Sequence, residues 1–124
     1  MNRLLHILLV ITPCIALGQD TLVKTYYDNG QIKSEQYYNN GIQDGKCIYY
    51  FENGKIRTEK TWKDGKLDGA DIWYFDNGQI GWQENWKDGV PDGKFIYYYE
   101  SGEIRCEKYY KDGKLIETKE YNRE

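Results

Sequence analysis

The sequence predicts an all-β fold, an elongated antiparallel meander of repeated β-hairpins in four units of 24 residues, preceded by a signal-peptide helix. Three observations carry that expectation. An Asn-Gly pair between alternating apolar residues is the strongest short-range hairpin signal, because both central residues of a type I′ turn need positive φ. That pair stands at Asn29-Gly30, Asn53-Gly54 and Asn77-Gly78, with Ser101-Gly102 in the fourth place. Second, Gly30, Gly54, Gly78 and Gly102 follow one another at 24 residues, as do Gly41, Gly65, Gly89 and Gly113, and Gly45, Gly69 and Gly93 keep the same step. Third, the 124 residues include 13 tyrosines but one Met and two Pro, a bias toward strands.

Residues 1–18 read as a secretory signal peptide. Arg3 gives the positive n-region, Leu4 to Leu17 an apolar run, and Ala16-Leu17-Gly18 small residues at the two positions a signal peptidase reads. Cleavage before Gln19 is expected, and with it export to a periplasmic, cell-envelope or secreted location. A transmembrane anchor is disfavoured, since about 18 apolar residues are needed to span a bilayer and His6, Thr12 and Pro13 break the run. A lipid-anchored form would use Cys14, where Pro13 sits badly.

Cleavage removes His6, the only histidine, and leaves serine only at Ser34 and Ser101. Ser-His-Asp and Cys-His nucleophilic machinery and His-based metal sites are thereby excluded by inventory, so no catalytic residue, metal or cofactor is assigned. The net charge of −3, or −4 without Arg3, weighs against nucleic acid or anionic lipid as the main partner. Two exported cysteines invite a disulfide, but Cys47 and Cys106 would lie five strands apart, about 24 Å at the usual strand spacing. A disulfide needs Cα atoms within about 7 Å, so two free thiols are expected.

The units run about 22–45, 46–69, 70–93 and 94–117, with a tail at 118–124. In the first, Leu22 to Tyr27 and Gln31 to Tyr38 are strands, and Asn39 to Gly45 is a loop to the next unit. The later strand pairs are Lys46 to Phe51 with Lys55 to Trp62, Ala70 to Phe75 with Gln79 to Trp86, and Lys94 to Tyr99 with Glu103 to Tyr110. Their Asp-Gly loops supply turn geometry, and Pro91 falls in one of them, where a missing N–H harms no ladder. Thr118 to Tyr121 is a last edge strand, with Glu117, Lys119 and Glu120 discouraging another chain, although edge-strand self-association stays open.

A two-residue Asn53-Gly54 loop sets Phe51 against Ile56, Tyr50 against Arg57 and Tyr49 against Thr58. Alternation then writes out two faces. One collects Tyr27, Phe51, Phe75 and Tyr99 opposite Ile32, Ile56, Ile80 and Ile104, together with Tyr49, Trp73 and Tyr97 and then Tyr38, Trp62, Trp86 and Tyr110; Trp73 should meet Trp82. This face is expected to be buried. A lone hairpin cannot stand, so stability must come from units stacking their ladders. The other face carries Tyr26, Tyr50, Tyr74 and Tyr98 opposite Lys33, Arg57, Gly81 and Arg105. Cross-strand aromatic and ionic pairing explains that stripe, and it is also the candidate binding track, since Tyr and Arg are favoured at interaction hot spots.

The run Tyr49-Tyr50-Phe51-Glu52-Asn53-Gly54-Lys55-Ile56, followed by Trp62-Lys63-Asp64-Gly65-Lys66-Leu67-Asp68-Gly69, resembles the MORN-repeat variant family, bacterial proteins that often carry an antitoxin-like label. The resemblance extends over nearly all of the chain after the leader. It implies a hairpin meander without catalytic residues that serves as a scaffold for protein, and sometimes membrane, contact. An antitoxin-like role would have to act within an envelope system.

Two other chemistries fit these residues less well. Each Asp-Gly loop offers two carboxylates with Lys between them, too few for the six to eight oxygens of calcium. Paired acids for glycoside hydrolysis are more simply solvated surface, since no unit carries an inserted loop. The rival of another class is a cell-surface carbohydrate- or choline-binding aromatic repeat, which Trp73 to Trp82 resembles locally. The leading expectation is a non-enzymatic scaffold whose partner is another protein, with a glycan as the alternative.

Overall fold

The computed structural model describes Leu8–Leu9 and residues 20–123. The leader expected at 1–18 lies outside the described residues except for Leu8–Leu9. The described chain is one antiparallel sheet. Its strands are β1 (Leu8–Leu9), β2 (Asp20–Tyr26), β3 (Ile32–Asn39), β4 (Ile42–Tyr50), β5 (Ile56–Lys63), β6 (Lys66–Tyr74), β7 (Ile80–Lys87), β8 (Val90–Pro91), β9 (Gly93–Tyr98), β10 (Ile104–Lys111) and β11 (Lys114–Glu120). Neighbours in sequence are neighbours in space, with β8 paired to the end of β7 beside β9. The all-β meander read from the repeats is the fold.

The turns divide the geometry differently from the sequence reading. At Asn53-Gly54 only the glycine has positive φ, at 87°. Gly54 N–H donates to Phe51 O at 2.9 Å and Phe51 N–H to Lys55 O at 2.8 Å, while Asn53 Oδ1 accepts from Lys55 N–H at 2.9 Å. This is a three-residue loop, a tight turn closed by a left-handed glycine. The type I′ pattern belongs instead to the other rim, where Asp64 and Gly65 have φ of 48° and 77°, and Asn40-Gly41, Asp88-Gly89 and Asp112-Gly113 match them. The seven-residue loops expected there are therefore tight hairpins, pairing Asn39 with Ile42 and Lys63 with Lys66. Pro91 accordingly pairs with Trp86 rather than lying in a loop.

Each tight hairpin is followed by a bulge. Between β5 and β6 the ladder runs from Trp62↔Leu67 directly to Lys60↔Asp71, so three residues of β6 face Thr61. Gly69 takes φ 118° at that place. Bulges of this kind sharpen the twist of the strand that carries them. They give the third glycine series its purpose.

Units are tied along both rims. Gly65, Gly89 and Gly113 N–H donate to Gln43, Leu67 and Pro91 carbonyls of the preceding unit at 2.9, 2.8 and 3.0 Å. On the opposite rim Tyr27 Oη donates to Tyr50 O at 2.6 Å and Asn77 Nδ2 to Glu100 O at 3.1 Å. Such nearest-neighbour bonding is what a hairpin too small to stand alone requires. The last strand, β11, is exposed along its whole length and carries Leu115 and Ile116 into solvent.

No second layer covers either face among the described residues. The buried residues Ser34, Cys47, Thr58, Asp71, Phe95 and Cys106 share one face, centred on the middle strands. Phe95 apart, its aromatic side chains, expected to be buried, are half-buried around that centre. Cys47 and Cys106 are free and buried, in strands β4 and β10, as their spacing implied.

Candidate binding faces of the sheet

A second set of bulges decides which side chains share a face. Beyond the three-residue turn the ladder pairs Tyr50 with Ile56, then steps to Tyr49 with Thr58, leaving Arg57 as the extra residue. The same step occurs at Lys33, Gly81 and Arg105. The Tyr stripe therefore stands opposite isoleucine: Tyr26↔Ile32, Tyr50↔Ile56, Tyr74↔Ile80 and Tyr98↔Ile104. The cations expected beside it turn to the aromatic face. Arg105 lies 5.9 Å from the centre of the Tyr97 ring, and Arg57 lines a cleft with Tyr49 and Trp73. Lys33 likewise sits over Tyr27, at 5.6 Å. The predicted binding set is thus divided, Tyr26, Tyr50, Tyr74 and Tyr98 on one face and Lys33, Arg57 and Arg105 on the other.

On the Tyr face, the hydroxyls of Tyr50 and Tyr74 reach the acid of the preceding unit. Tyr50 Oη donates to Glu35 at 2.9 Å, and Glu35 also holds Lys24 at 3.0 Å. Glu59 repeats this with Tyr74 at 3.4 Å and Lys46 at 3.5 Å. Glu107, a buried residue, binds Lys94 at 2.8 Å and accepts from Tyr109 and Tyr121 at 3.1 Å each. Unit three has Gln83 and Ala70 instead of the acid and its lysine, and forms no such cluster.

The hydrogen bond from Lys24 holds Glu35 below the usual carboxylate range, and Lys94 does the same for Glu107. Burial, then the bond to Glu35, pushes the Tyr50 phenol up to about 12. The signs follow from linkage. A lowered carboxylate stabilises the fold above its unfolded value, near 4.3, and that stability is lost as pH falls through the lower folded value. A raised phenol stabilises below its unfolded value of 10.0 and is lost as pH climbs toward about 12. The melting temperature should therefore hold between about pH 5 and 9 and fall on both sides. Tyr50→Phe should flatten the alkaline limb, and Glu35→Gln the acid one, in thermal melts across pH. Unchanged limbs in both variants would refute these assignments.

The aromatic face carries an open cleft of about 390 Å³ spanning β4 to β7 and lined by Tyr49, Arg57, Thr58, Lys60, Trp62, Trp73 and Trp82. Trp73 and Trp82 stack with ring centres 4.6 Å apart and planes 13° from parallel, the cross-strand pair the sequence predicts. Lys60 is held by the buried Asp71 at 3.2 Å. Trp62 Nε1 and Asp71 Oδ1 are buried without a hydrogen-bond partner. Burial pushes the Tyr49 phenol up, so it stays a neutral donor at physiological pH. Sequence reasoning did not single out Thr58, Lys60 or Asp71; their only sequence signal is that alternation sets them on the strand face of Tyr49.

The model of the MORN repeat variant matches residues 19–40, 43–64, 91–112 and 103–123. The chain belongs to the MORN repeat variant family. No curated protein matches it. Membership points to a repeat protein of protein or membrane contact. The MORN matches leave out residues 65–90, a narrower coverage than the sequence reading expected. That stretch holds Ala70, Trp73, Gly81 and Gln83, where unit three departs from the other MORN units on both faces. No helix among the described residues is long and apolar enough to cross a membrane.

Proposed function

We propose that this MORN-repeat chain is an exported, non-enzymatic scaffold that engages another protein through its aromatic face. The observation that supports the reading is that half-buried Tyr49, Trp82, Trp86, Tyr97 and Tyr110 stand on a sheet face with no covering layer among the described residues. A contiguous, half-accessible aromatic surface rimmed by charge suits a macromolecular partner. The Tyr stripe is the weaker candidate, because Tyr50 and Tyr74 spend their hydroxyls on Glu35 and Glu59. An antitoxin-like task would be one use of such a surface, against a protein of the same envelope.

The test is co-purification from the envelope fraction with tagged wild-type chain and two variants. Trp86→Ala, on the aromatic face, should lose the partner. Tyr98→Ser, on the opposite face, should keep it. The reverse pattern moves the interface to the Tyr stripe, and a wild-type chain that retains no protein in stoichiometric amount overturns the scaffold reading.

A further inference from the structure

We infer that the cleft between the second and third units binds an acidic sugar, with Arg57 as the carboxylate contact. The volume of about 390 Å³ suits one or two sugar rings, and the lining has the usual make-up of a ligand site, aromatic walls with a few polar groups. Tyr49, Trp62 and Trp82 supply flat apolar surface for the C–H faces of a pyranose. Thr58 supplies a hydroxyl that can donate to or accept from those of the sugar.

Charge narrows the class. Lys60 is committed to Asp71 at 3.2 Å, whereas the Arg57 guanidinium makes no ion pair among the described residues. A planar guanidinium facing a cleft matches a carboxylate bidentately. The uncompensated charge of Arg57 opposes choline, a cation that would have to share the same aromatic walls.

Unit four shows why the cleft forms here. Arg105, Lys108 and Tyr97 repeat Arg57, Lys60 and Tyr49, but there both cations lie over the Tyr97 ring, at 5.9 and 5.5 Å, and the Tyr97 hydroxyl is taken by Glu84 at 2.9 Å. In unit three the bulge position is Gly81, and the Trp73 indole occupies the space a side chain there would take. That single absence turns Trp73 and Trp82 into one wall of the cleft.

The inference is independent of the protein-contact proposal, since purified chain and sugar suffice to test it. Trp fluorescence would be titrated with digalacturonate, neutral galactobiose, choline and inorganic phosphate. Digalacturonate should give saturable quenching, with galactobiose weaker by about tenfold for want of the charged contact. Arg57→Gln should weaken digalacturonate by about tenfold, while Arg105→Gln stays within about twofold, because Arg105 lies outside the cleft. A melting curve of Arg57→Gln like that of wild type excludes unfolding as the cause. Equal binding of the neutral sugar, competition by phosphate at the same concentration, quenching by choline, or no saturable change with any of the four would each overturn the assignment.

Discussion

Gly81→Val is expected to destabilise the protein by about 2–4 kcal/mol, although Gly81 has no special backbone conformation. The other units carry Lys33, Arg57 and Arg105 at this place. In unit three a Cβ on Gly81 would collide with Cε3 and Cζ3 of Trp73. The indole cannot easily withdraw, because it is stacked on Trp82 at 4.6 Å and meets Phe75 edge-on at 4.8 Å. Overpacking here must displace a whole aromatic cluster. The compensating change is written in the neighbouring units, which pair a tyrosine with an arginine, Tyr49 with Arg57 and Tyr97 with Arg105. Gly81→Arg alone should be as costly as Gly81→Val, and Trp73→Tyr in the same chain should recover most of the loss. Urea melts of the two singles and the double would give the coupling energy. Single variants at Gly81 within about 0.5 kcal/mol of wild type would mean that the indole is not seated as described.

The cancellation of two local errors explains how much of the fold was legible. A two-residue loop at Asn53-Gly54 would pair Tyr49 with Thr58, and that pair exists. It exists because a three-residue turn shifts the ladder one way and the bulge at Arg57 shifts it back. Pairs beyond the bulge, Trp73 with Trp82 among them, could therefore be read from spacing, while those before it could not. Nothing in the local pattern marks a bulge at Arg57, since the residue is as compatible with a regular ladder as with an irregular one. One extra residue exchanged the face of every cation in the candidate set. The Cys47–Cys106 separation survived because it depends on strand count and not on register. The cleft was legible only in its parts: Arg57, Trp62, Trp73 and Trp82 were each named, but their convergence needs the bulge and the glycine at 81 together.

The bulges after the tight hairpins lead to the second large effect, at Gly69. Its φ of 118° lies beyond the left-handed region that Asn and Asp tolerate, and a Cβ there would stand 3.3 Å from Cβ of Thr61. Gly69→Val should therefore suffer twice. Forcing an L side chain into a glycine-only conformation costs about 1–3 kcal/mol, and crowding a β-branched residue against Thr61 about 1 more. Gly30 provides the comparison, with φ 87° and open space where its Cβ would point. Gly30→Val should show only the backbone part, about 1–2 kcal/mol. The two variants differ in consequence as well as size. Gly69 sits in the three-residue bulge that faces Thr61, between the pairs Trp62↔Leu67 and Lys60↔Asp71. Straightening that bulge moves Trp62 and Lys60 relative to Asp71 and dismantles the cleft, whereas Gly30 lies at a rim turn far from it in sequence. Urea melts should rank Gly69→Val well below Gly30→Val, and Trp fluorescence should change in the first and hold in the second. Equal stabilities for the two would show that the bulge can be drawn straight at little cost, and the ladder between β5 and β6 would then have a second register open to it.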